Sequence, residues 1–406
     1  MMAKKPLRDL SVEEQLARGP LDLPFLMLTM LLLGIGLIMM FSASYATAYY
    51  DPDVSTPLFY IIRQGMFAGA GVAIMYFVSK INYQSFRGLS VLLLVGSIVL
   101  LVLVLIPGVG VKINGARRWL RMGLVFGPTY QPSEIVKVAV ILFFAARLSK
   151  RDTRKKRKWS RRTTWGRFKN FLEKIGFIEL VPYGAILLLI AVLMLKEPHM
   201  SGTILVLAGG AAVLFASGIH MGWFAAGISL VGGALWLIIT ATPYMTARIN
   251  LWQDPWSDPL GAGFQTIQSL LAIGSGGLLG LGLGKSRQKF LYVPEPENDF
   301  VFPIVVEELG FIGGTIVIVL FMLLILRGYW LALHARDKFG ALTIVGIISL
   351  LAVQVFLNIG VVTNLIPNTG ISLPFFSYGG TALMIQLAEM GIVLSVSRQI
   401  PAPKND

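Results

Sequence analysis

The sequence contains no cysteine, which excludes disulfide bonds and thiolate-bound metal sites. Charge is also scarce: Asp, Glu, Lys and Arg make up 14% of the 406 residues, whereas a soluble domain carries about a quarter. Hydrophobic residues supply 55% of the chain, and the mean hydropathy is +0.72. This composition predicts a protein that crosses a membrane several times.

Acidic residues are scarcer than basic ones, with 21 Asp and Glu against 35 Lys and Arg and a net charge of +14. A basic balance can indicate nucleic-acid binding, but the distribution of the charges argues for a membrane. The longest basic run, RLSKRDTRKKRKWSRRTTWGRFK, lies within 147–178 and is typical of a cytoplasmic loop that sets orientation and contacts anionic lipid. Docking of a cytoplasmic partner or nucleic acid is the less favoured alternative. We therefore expect membrane lipids, and no nucleic acid, among the partners.

Runs of about 20 apolar residues, the length that crosses a bilayer, occur ten times. An even number of spans puts both termini on one side, and the basic residues concentrate in segments on that side, so both termini are predicted to be cytoplasmic. The predicted fold is an all-α polytopic membrane protein with an N-tail (1–23), a ten-helix membrane domain (24–397) that includes a large extracellular loop at about 242–299, and a C-tail (398–406). The predicted spans are 24–47, 57–79, 88–107, 131–149, 179–196, 201–218, 222–241, 300–326, 341–363 and 378–397.

The extracellular loop contains a second apolar pattern. Phe264, Ile267, Leu270 and Leu271 recur at helical spacing, which predicts an interfacial or re-entrant helix. A glycine-rich turn at 274–284 follows it. That turn lacks the preceding strand and the GK[ST] ending of a nucleotide-binding loop. The glycines are more simply explained by a lid that seals the helix bundle.

The loop ends in an acidic stretch, YVPEPENDFVFPIVVEELG, where Asp299 is the last charge before a continuous apolar run. Ionisable groups at or in hydrocarbon are costly and indicate a functional site. Asp299 is therefore the predicted catalytic residue, and Glu295 beside it is a candidate for substrate binding. Glu307 and Glu308 lie deeper along the same span, where we favour a structural role as hydrogen-bonded helix contacts.

Three ionisable residues inside predicted spans lie at one level in the outer half of the membrane: Arg63, Glu134 and Lys137. Arg63 is roughly 9 Å below the outer surface at 1.5 Å per residue, and Glu134 and Lys137 share a helix face through their i,i+3 spacing. Intramembrane charges usually pair, so a buried ion network that specifies helix packing is one interpretation. A common level with Asp299 favours the other, a binding cavity.

Cations of the outer loops extend this predicted site. Basic groups beside a carboxylate, open to lipid, suit an anionic lipid-linked substrate whose phosphates the cations would bind. The carboxylate of Asp299 would act as a general base or hold a divalent cation such as Mg²⁺ or Mn²⁺. No organic cofactor is expected. The loop cations are Arg117, Arg118, Arg121 and Lys289.

The segment before the last span, NLIPNTGISLPFFSYGG, is rich in proline and glycine. Irregular backbone at membrane level is tolerated where it lines a cavity or is buried in protein. Ser377 is a candidate substrate-binding residue here. A cavity wall and a purely structural cap are equally compatible with the pattern. His199, in KEPHMSGT, is expected to be a wetted interface residue.

Four stretches together resemble the SEDS family (shape, elongation, division and sporulation), the FtsW/RodA-type peptidoglycan polymerases. They are GARRWLRMG with QPSEIVKVAV, then DPWSDPLGAGFQTIQSLLAIGSGGLLGLGLG, then KFLYVPEPENDFVFPIVVEELGFIGG, and finally LIPNTGISLPFFSYGGTALM. The wording GKSRQKFLYVPEP is closer to the division and sporulation branch than to the elongation branch. His199 stands where many members have an aspartate, in QPDLGT.

The resemblance implies ten helices in a bacterial cell membrane and an active site that faces outside. It implies an inverting glycosyltransferase that polymerises lipid II into β-1,4 glycan strands. The donor would be a glycan on undecaprenyl pyrophosphate, and a class B penicillin-binding protein (a transpeptidase) would be the partner. By position, the essential aspartate matches Asp299, the cavity residues match Arg63, Glu134 and Lys137, and the outer-loop arginine matches Arg118. A lipid II flippase and a non-catalytic scaffold for the transpeptidase remain the alternatives.

Overall fold

The computed structural model describes residues 19–52, 54, 56–113, 116–121, 130–150, 176–241, 243–261, 263–290 and 292–400. Outside the described residues lie most of the N-tail, the part of the C-tail beyond 400, and residues 151–175 of the basic run. The predictions made for those segments therefore stay predictions.

Helices dominate the chain, and every predicted span coincides with one of them. The helices are α1 (Leu23–Tyr50), α2 (Phe59–Lys80), α3 (Gln84–Leu105), α4 (Pro132–Leu148), α5 (Phe177–Lys196), α6 (Met200–Ala216), α7 (Met221–Ala241), α8 (Pro243–Gln253), α9 (Phe264–Ser275), α10 (Val301–His334), α11 (Lys338–Val362) and α12 (Gly380–Ser397). Among the described residues, seven are long and apolar enough to cross a membrane, namely α1, α2, α3, α5, α10, α11 and α12. The chain is therefore a multi-pass helical membrane protein, while the count of ten crossings stays a prediction.

A short β-hairpin departs from the expected all-α fold. Strands β1 (Gly110–Ile113) and β2 (Ala116–Leu120) pair antiparallel between α3 and α4, with Gly110 opposite Leu120. Leu120 also exchanges two backbone hydrogen bonds of 2.8 Å with Tyr130. The hairpin is too polar and too short to cross a bilayer. Its backbone groups are satisfied by pairing between the two strands. This places Arg118 on a strand rather than in an irregular loop.

Helices α11 and α12 form the centre of the bundle. Both are largely buried by protein, whereas α2, α3 and α5 expose most of their apolar residues, as lipid-facing helices do. α11 packs against α4, α6 and α10, and α12 packs against α2. Polar side chains on the inner faces of α4 and α11 therefore lie inside protein and away from lipid.

Polar contacts tie the chain ends together at one end of the bundle. The N–H of Gly19 donates to the carbonyl of Arg398 at 2.6 Å. Asp22, which caps the first turn of α1, accepts two hydrogen bonds from Arg327 at 3.0 and 2.5 Å. The start of α1 and the end of α12 thus lie on the same side, as an even number of crossings requires.

The outer part of α10 is broken at Gly310, where the backbone leaves helical geometry (φ 71°, ψ −176°). The backbone of residues 276–290, here called the glycine-rich segment, pairs with the helix at this break. Leu281 donates to the carbonyl of Glu307 at 3.0 Å, and the N–H of Phe311 donates to Gly277 at 2.8 Å. A Cβ on Gly310 would lie 2.4 Å from the nitrogen of Gly280. Only glycine allows the two backbones to approach so closely.

Two expectations for this region are therefore wrong. The span predicted at 300–326 is neither continuous nor that short: it is interrupted at Gly310 and continues to His334. The glycines at 274–284 do more than turn the chain beneath a lid, because their backbone replaces helical hydrogen bonds of α10. α9 itself forms where a helix was predicted, but its buried residues are Ile267, Ser269 and Ala272, while Leu271 of the predicted apolar face is 44% exposed.

Candidate active site

Asp299 lies where the outer loop becomes helix α10. Phe300 caps α10, and Pro303 occupies its first turn, where a missing N–H costs no helical hydrogen bond. The amide of Asn358 on α11 donates to the backbone oxygen of Asp299 at 2.8 Å. The Asp299 side chain is partly exposed. The predicted catalytic carboxylate is thus held at its backbone and open at its side chain.

The surroundings of Asp299 raise its proton affinity. Burial, reinforced by the negative charges of Glu295 and Glu297, raises the pKa of Asp299 to about 6. Burial likewise raises the pKa of Glu297, whose side chain accepts a hydrogen bond from Thr47 at 3.2 Å. A carboxylate with a pKa near the working pH is suited to general-base catalysis.

A polar cleft lies beside α4, with Lys137 and Glu134 in its wall. Their side chains form an ion pair of 2.8 Å, and Lys137 is only 5% exposed. The cleft offers about 30 Å³ to water-sized molecules, which is room for roughly two waters. Its lining includes Gln354, Ser372, Ser377, Tyr378 and Glu389.

Two amides on α11 connect this cleft to Asp299. Gln354 donates to the carbonyl of Ser372 at 3.1 Å, and Asn358, one turn further out, donates to the carbonyl of Ile371 at 2.7 Å. Because Asn358 also binds the backbone of Asp299, the carboxylate lies about one helical turn outward from the cleft. Amides four residues apart in an apolar run share one helix face, so the sequence carries a signal for Gln354 and Asn358 that the predicted residues do not include.

Ser377 lines this cleft, and Arg63 lies beside it. The Arg63 guanidinium is near the hydroxyl of Tyr378, which lines the cleft, and its central carbon lies 4.7 Å from the centroid of the Phe59 ring. The hydroxyl of Ser377 accepts a hydrogen bond from the N–H of Leu373 at 2.7 Å. Glu295, by contrast, is exposed and has a positive φ of 46°. The structure thus brings Glu134, Lys137 and Ser377 to one cleft, with Arg63 next to it, while Asp299 and Glu295 are not among the lining residues.

Arg118 reaches across from β2 to the end of α5. It donates to the backbone oxygens of Glu197, at 3.4 Å, and of Pro198. Burial raises the pKa of Glu197 to about 8 and lowers that of His199 to about 3, the latter helped by the nearby charges of Arg118 and Lys137. Both side chains are therefore neutral at pH 7.

The expectation that His199 is a wetted interface residue is wrong. It is 7% exposed, and one ring nitrogen lies 3.3 Å from the amide nitrogen of Gln131 at the start of α4. The chain folds the α5–α6 turn against α4 and β2, which covers a histidine that the sequence places at a helix end. Its other ring nitrogen has no hydrogen-bond partner in the structure.

Lys289 was predicted to lie on an open cationic loop, and the structure places it elsewhere. It is 3% exposed, and its ammonium lies 3.0 Å from Glu308 and 2.7 Å from the carbonyl of Gly284. Glu307 and Glu308 are fully buried and accept hydrogen bonds, which agrees with the favoured structural role. Lys289 thus faces the protein interior.

The side chains suit a divalent cation poorly. Within the part of the chain that the structure describes, no three His, Asp or Glu side chains converge as a metal site would need. Asp299 is accompanied by Glu295 and Glu297 as charges, without a set of ligands arranged around one point.

The profile of the FtsW/RodA/SpoVE family, described as "Cell cycle protein", matches residues 23–401 of the chain. The chain belongs to this family. Stage V sporulation protein E of Bacillus subtilis is 46% identical over 379 residues, which cover 93% of this chain and 97% of that relative. The probable peptidoglycan glycosyltransferase FtsW of Geobacter metallireducens is 37% identical over 382 residues, with coverage of 93% and 95%. The predicted SEDS membership, on the FtsW/SpoVE side of the family, is confirmed.

Solved structures of the FtsW/RodA/SpoVE fold agree. A chain of a peptidoglycan synthase complex that coordinates polymerization and crosslinking has a TM-score of 0.71 and 30% identity, covering 95% of this chain and 99% of that one. Thermus thermophilus RodA, the rod shape determining protein, has a TM-score of 0.64 and 27% identity, covering 94% and 98%. The names of the family and of these relatives refer to the cell cycle, to sporulation and to peptidoglycan glycosyltransferase activity.

Proposed function

We propose that this protein polymerises lipid II into β-1,4 glycan strands at the outer face of the bacterial cell membrane. The observation that carries the proposal is Asp299: a partly exposed carboxylate, fixed at its backbone by Asn358 and with a pKa raised to about 6. Asn358 lies one helical turn from Gln354, which lines the cleft that contains buried Lys137. The names of the relatives, probable peptidoglycan glycosyltransferases, support the same reaction class.

Asp299 acts as the general base in this proposal. It accepts the proton of the 4-hydroxyl of the acceptor sugar while that oxygen attacks the anomeric carbon of the donor. The new C–O bond forms as the bond from that carbon to the pyrophosphate oxygen breaks. The undecaprenyl pyrophosphate leaves with the bonding electron pair. Attack opposite an α-linked leaving group gives a β linkage, so the reaction inverts.

Cations stabilise the departing pyrophosphate. Lys137 and Arg63 contribute from the cleft, and Arg118 from β2, since preorganised positive charge in a site of low dielectric constant stabilises a developing anion strongly. Glu134 holds the Lys137 ammonium at 2.8 Å. A cleft with about 30 Å³ of free space is smaller than a sugar pyrophosphate, so the cleft opens, or the substrate enters it only in part. Because no set of metal ligands converges here, no step is assigned to a divalent cation.

The proposed orientation puts Asp299 outside and both chain ends in the cytoplasm. The contact between Gly19 and Arg398 supports an even number of crossings, and the basic residues concentrate on the side of the chain ends. This orientation exposes the cleft to a substrate whose sugars have already crossed the membrane.

The partner in this proposal is a class B penicillin-binding protein. An apolar groove with about 310 Å³ of free space lies between α10 and α11, with Phe321, Met322, Val355 and Phe356 in its lining. A single membrane helix of a transpeptidase would bury its apolar side chains there. The structural similarity to a chain of a complex that couples polymerization and crosslinking supports such a partner.

Replacing Asp299 with Asn tests the function. General-base catalysis typically contributes about 10²–10⁴-fold, so purified Asp299→Asn should lose at least two orders of magnitude of glycan polymerisation from lipid II. Asp258→Asn, at an exposed carboxylate of the same outer region, is the matched control and should stay active. Full polymerisation by Asp299→Asn would refute the assignment. Lipid II translocation in liposomes without any polymer from the wild type would establish a flippase instead.

A further inference from the structure

Two adjacent carboxylates of α10 bind the glycine-rich segment. Glu308 accepts hydrogen bonds from the N–H groups of Gly284, at 2.9 Å, and Ser286, at 3.2 Å. Glu307 accepts from the N–H of Arg287 at 3.0 Å and from the hydroxyl of Ser286. Buried carboxylates persist when they are hydrogen-bonded or paired; Glu308 is both, since Lys289 pairs with it, and Glu307 is held by hydrogen bonds.

Lys289 and Ser42 complete this cluster. The Lys289 ammonium contacts Glu308 at 3.0 Å and the hydroxyl of Ser42 at 3.1 Å. The same hydroxyl of Ser42, on α1, lies 2.7 and 2.8 Å from the two oxygens of Glu308. Three separate parts of the chain therefore meet at one ion pair from which water is excluded.

The loop that carries Asp299 starts at this cluster. Residues 292–300, here called the Asp299 loop, come after the glycine-rich segment that carries Lys289 and lead into α10, which carries Glu308. Val293 fixes the first part of the loop, because it is 1% exposed and its N–H donates to the carbonyl of Gln288 at 3.0 Å. The ion pair therefore joins the glycine-rich segment, which precedes the Asp299 loop, to α10, which follows it.

The far end of the Asp299 loop has its own anchors. The N–H of Tyr378 donates to the carbonyl of Glu297 at 2.7 Å, and Asn358 donates to the carbonyl of Asp299 at 2.8 Å. Glu308 lies nine residues beyond Asp299, roughly 13 Å along the helix at 1.5 Å per residue. The ion pair thus acts on Asp299 through the backbone and makes no contact with it.

We propose that the Lys289–Glu308 pair positions Asp299 by closing the base of its loop, and that Lys289 does not bind substrate. The inference rests on the polymerase function proposed above and adds two positioning residues to it. A shift of the general base by about 1 Å can cost on the order of 100-fold in rate. Loss of the ion pair that closes the loop should therefore lower the rate by displacing the Asp299 carboxylate. The substrate meets neither side chain of the pair, because both are buried and, unlike Lys137, neither lines the cleft.

Steady-state kinetics of Lys289→Met and Glu308→Gln distinguish positioning from binding. We expect each variant to lower kcat for lipid II polymerisation by on the order of 10–100-fold and to leave KM within about twofold, since uniform substrate binding is intact. Lys289→Arg keeps a cation beside Glu308 and donors for the Gly284 carbonyl and the Ser42 hydroxyl, so it should retain a large part of kcat. Lys285→Met removes an exposed cation of the same segment and is the matched control that should match the wild type.

Hydrogen exchange of the Asp299 loop gives a readout independent of catalysis. Backbone amides of residues 292–300 should exchange faster in Lys289→Met and in Glu308→Gln, and should stay close to wild-type rates in Lys289→Arg. If the wild type makes no polymer, the polymerase function fails, while the exchange rates still test whether the pair fixes the loop. If Lys289→Met or Glu308→Gln does not fold, the other of these two variants decides through the same kcat, KM and exchange measurements.

Three results would overturn the proposal. An increase in KM for Lys289→Met with kcat unchanged would make Lys289 a substrate-binding residue. Wild-type kinetics in both single variants would show that the pair has no influence on Asp299. A folded Lys289→Arg protein that loses as much kcat as Lys289→Met would show that the positive charge at this position has no part in closing the loop.

Discussion

The side-chain amide of Asn358 donates one hydrogen to the backbone oxygen of Asp299 at 2.8 Å and the other to that of Ile371 at 2.7 Å. Asn358 is 1% exposed, so these two carbonyls have no water available in exchange. One buried side chain on α11 thus joins the segment that carries the proposed base to the segment that walls the cleft.

Replacing Asn358 with Leu should therefore damage both stability and activity. The change leaves two buried carbonyls without donors, at about 1–3 kcal/mol each, and frees the backbone of Asp299. We expect a clear fall in melting temperature in detergent and at least a tenfold fall in kcat. Thr363→Ala, at an exposed position one turn further along, is the control. A variant at Asn358 with wild-type rate would show that Asp299 needs no support from α11.

The pH dependence of the reaction should report the ionisation of Asp299. Burial and the neighbouring Glu295 and Glu297 raise its pKa to about 6, and only the ionised form accepts a proton. The kcat/KM of the wild type should therefore be level above about pH 7 and fall about tenfold per pH unit below about pH 6. A profile that stays level down to pH 5 would contradict a base with this pKa.

Substitution of Lys137 should lower kcat more than substitution of Glu134. Lys137→Met removes a buried cation next to the leaving pyrophosphate, and removal of one such electrostatic contact typically costs about 10²–10³ in kcat. Glu134→Gln keeps the cation but loosens its 2.8 Å ion pair, so we expect a smaller loss. Measurement of both variants under saturating lipid II orders the two effects. A larger loss for Glu134→Gln would assign the chemistry to the carboxylate.

Gly310→Ala should destabilise the outer part of α10. The position has a φ of 71° and a ψ of −176°, a conformation open essentially to glycine that costs a residue with a side chain roughly 1–3 kcal/mol, and the added Cβ would lie 2.4 Å from the nitrogen of Gly280. Gly274→Ala is the matched control, because a Cβ there meets nothing within 4 Å. Thermal unfolding followed for both proteins gives the comparison, and equal melting temperatures would show that the two backbones separate without cost.

Much of the architecture follows from the sequence, because the length of an apolar run and the excess of basic residues in a loop can each be read from one segment alone. Each predicted span has its helix, and the acidic end of the outer loop marks Asp299 without any knowledge of neighbours. Lys289 and His199 were misplaced for the opposite reason. Their surroundings are made by residues far along the chain, such as Ser42 for Lys289 and Gln131 for His199.

The break at Gly310 escaped prediction on similar grounds. A glycine within an apolar run is tolerated in membrane helices, and nothing local indicates that residues 276–290 will pair with the helix there. Gln354 and Asn358 are an intermediate case, since their spacing is visible in the sequence but their partners at 371–372 are fixed only by the fold.

The interruption of α10 also explains how so long a helix fits the thickness of a membrane. As one rod, its 34 residues would measure about 51 Å, far more than a hydrocarbon layer of about 30 Å. Residues 311–334 alone reach about 36 Å, which suffices for a crossing with a slight tilt. The turns before Gly310 are thus not needed to span the bilayer, and their backbone pairs with that of the glycine-rich segment.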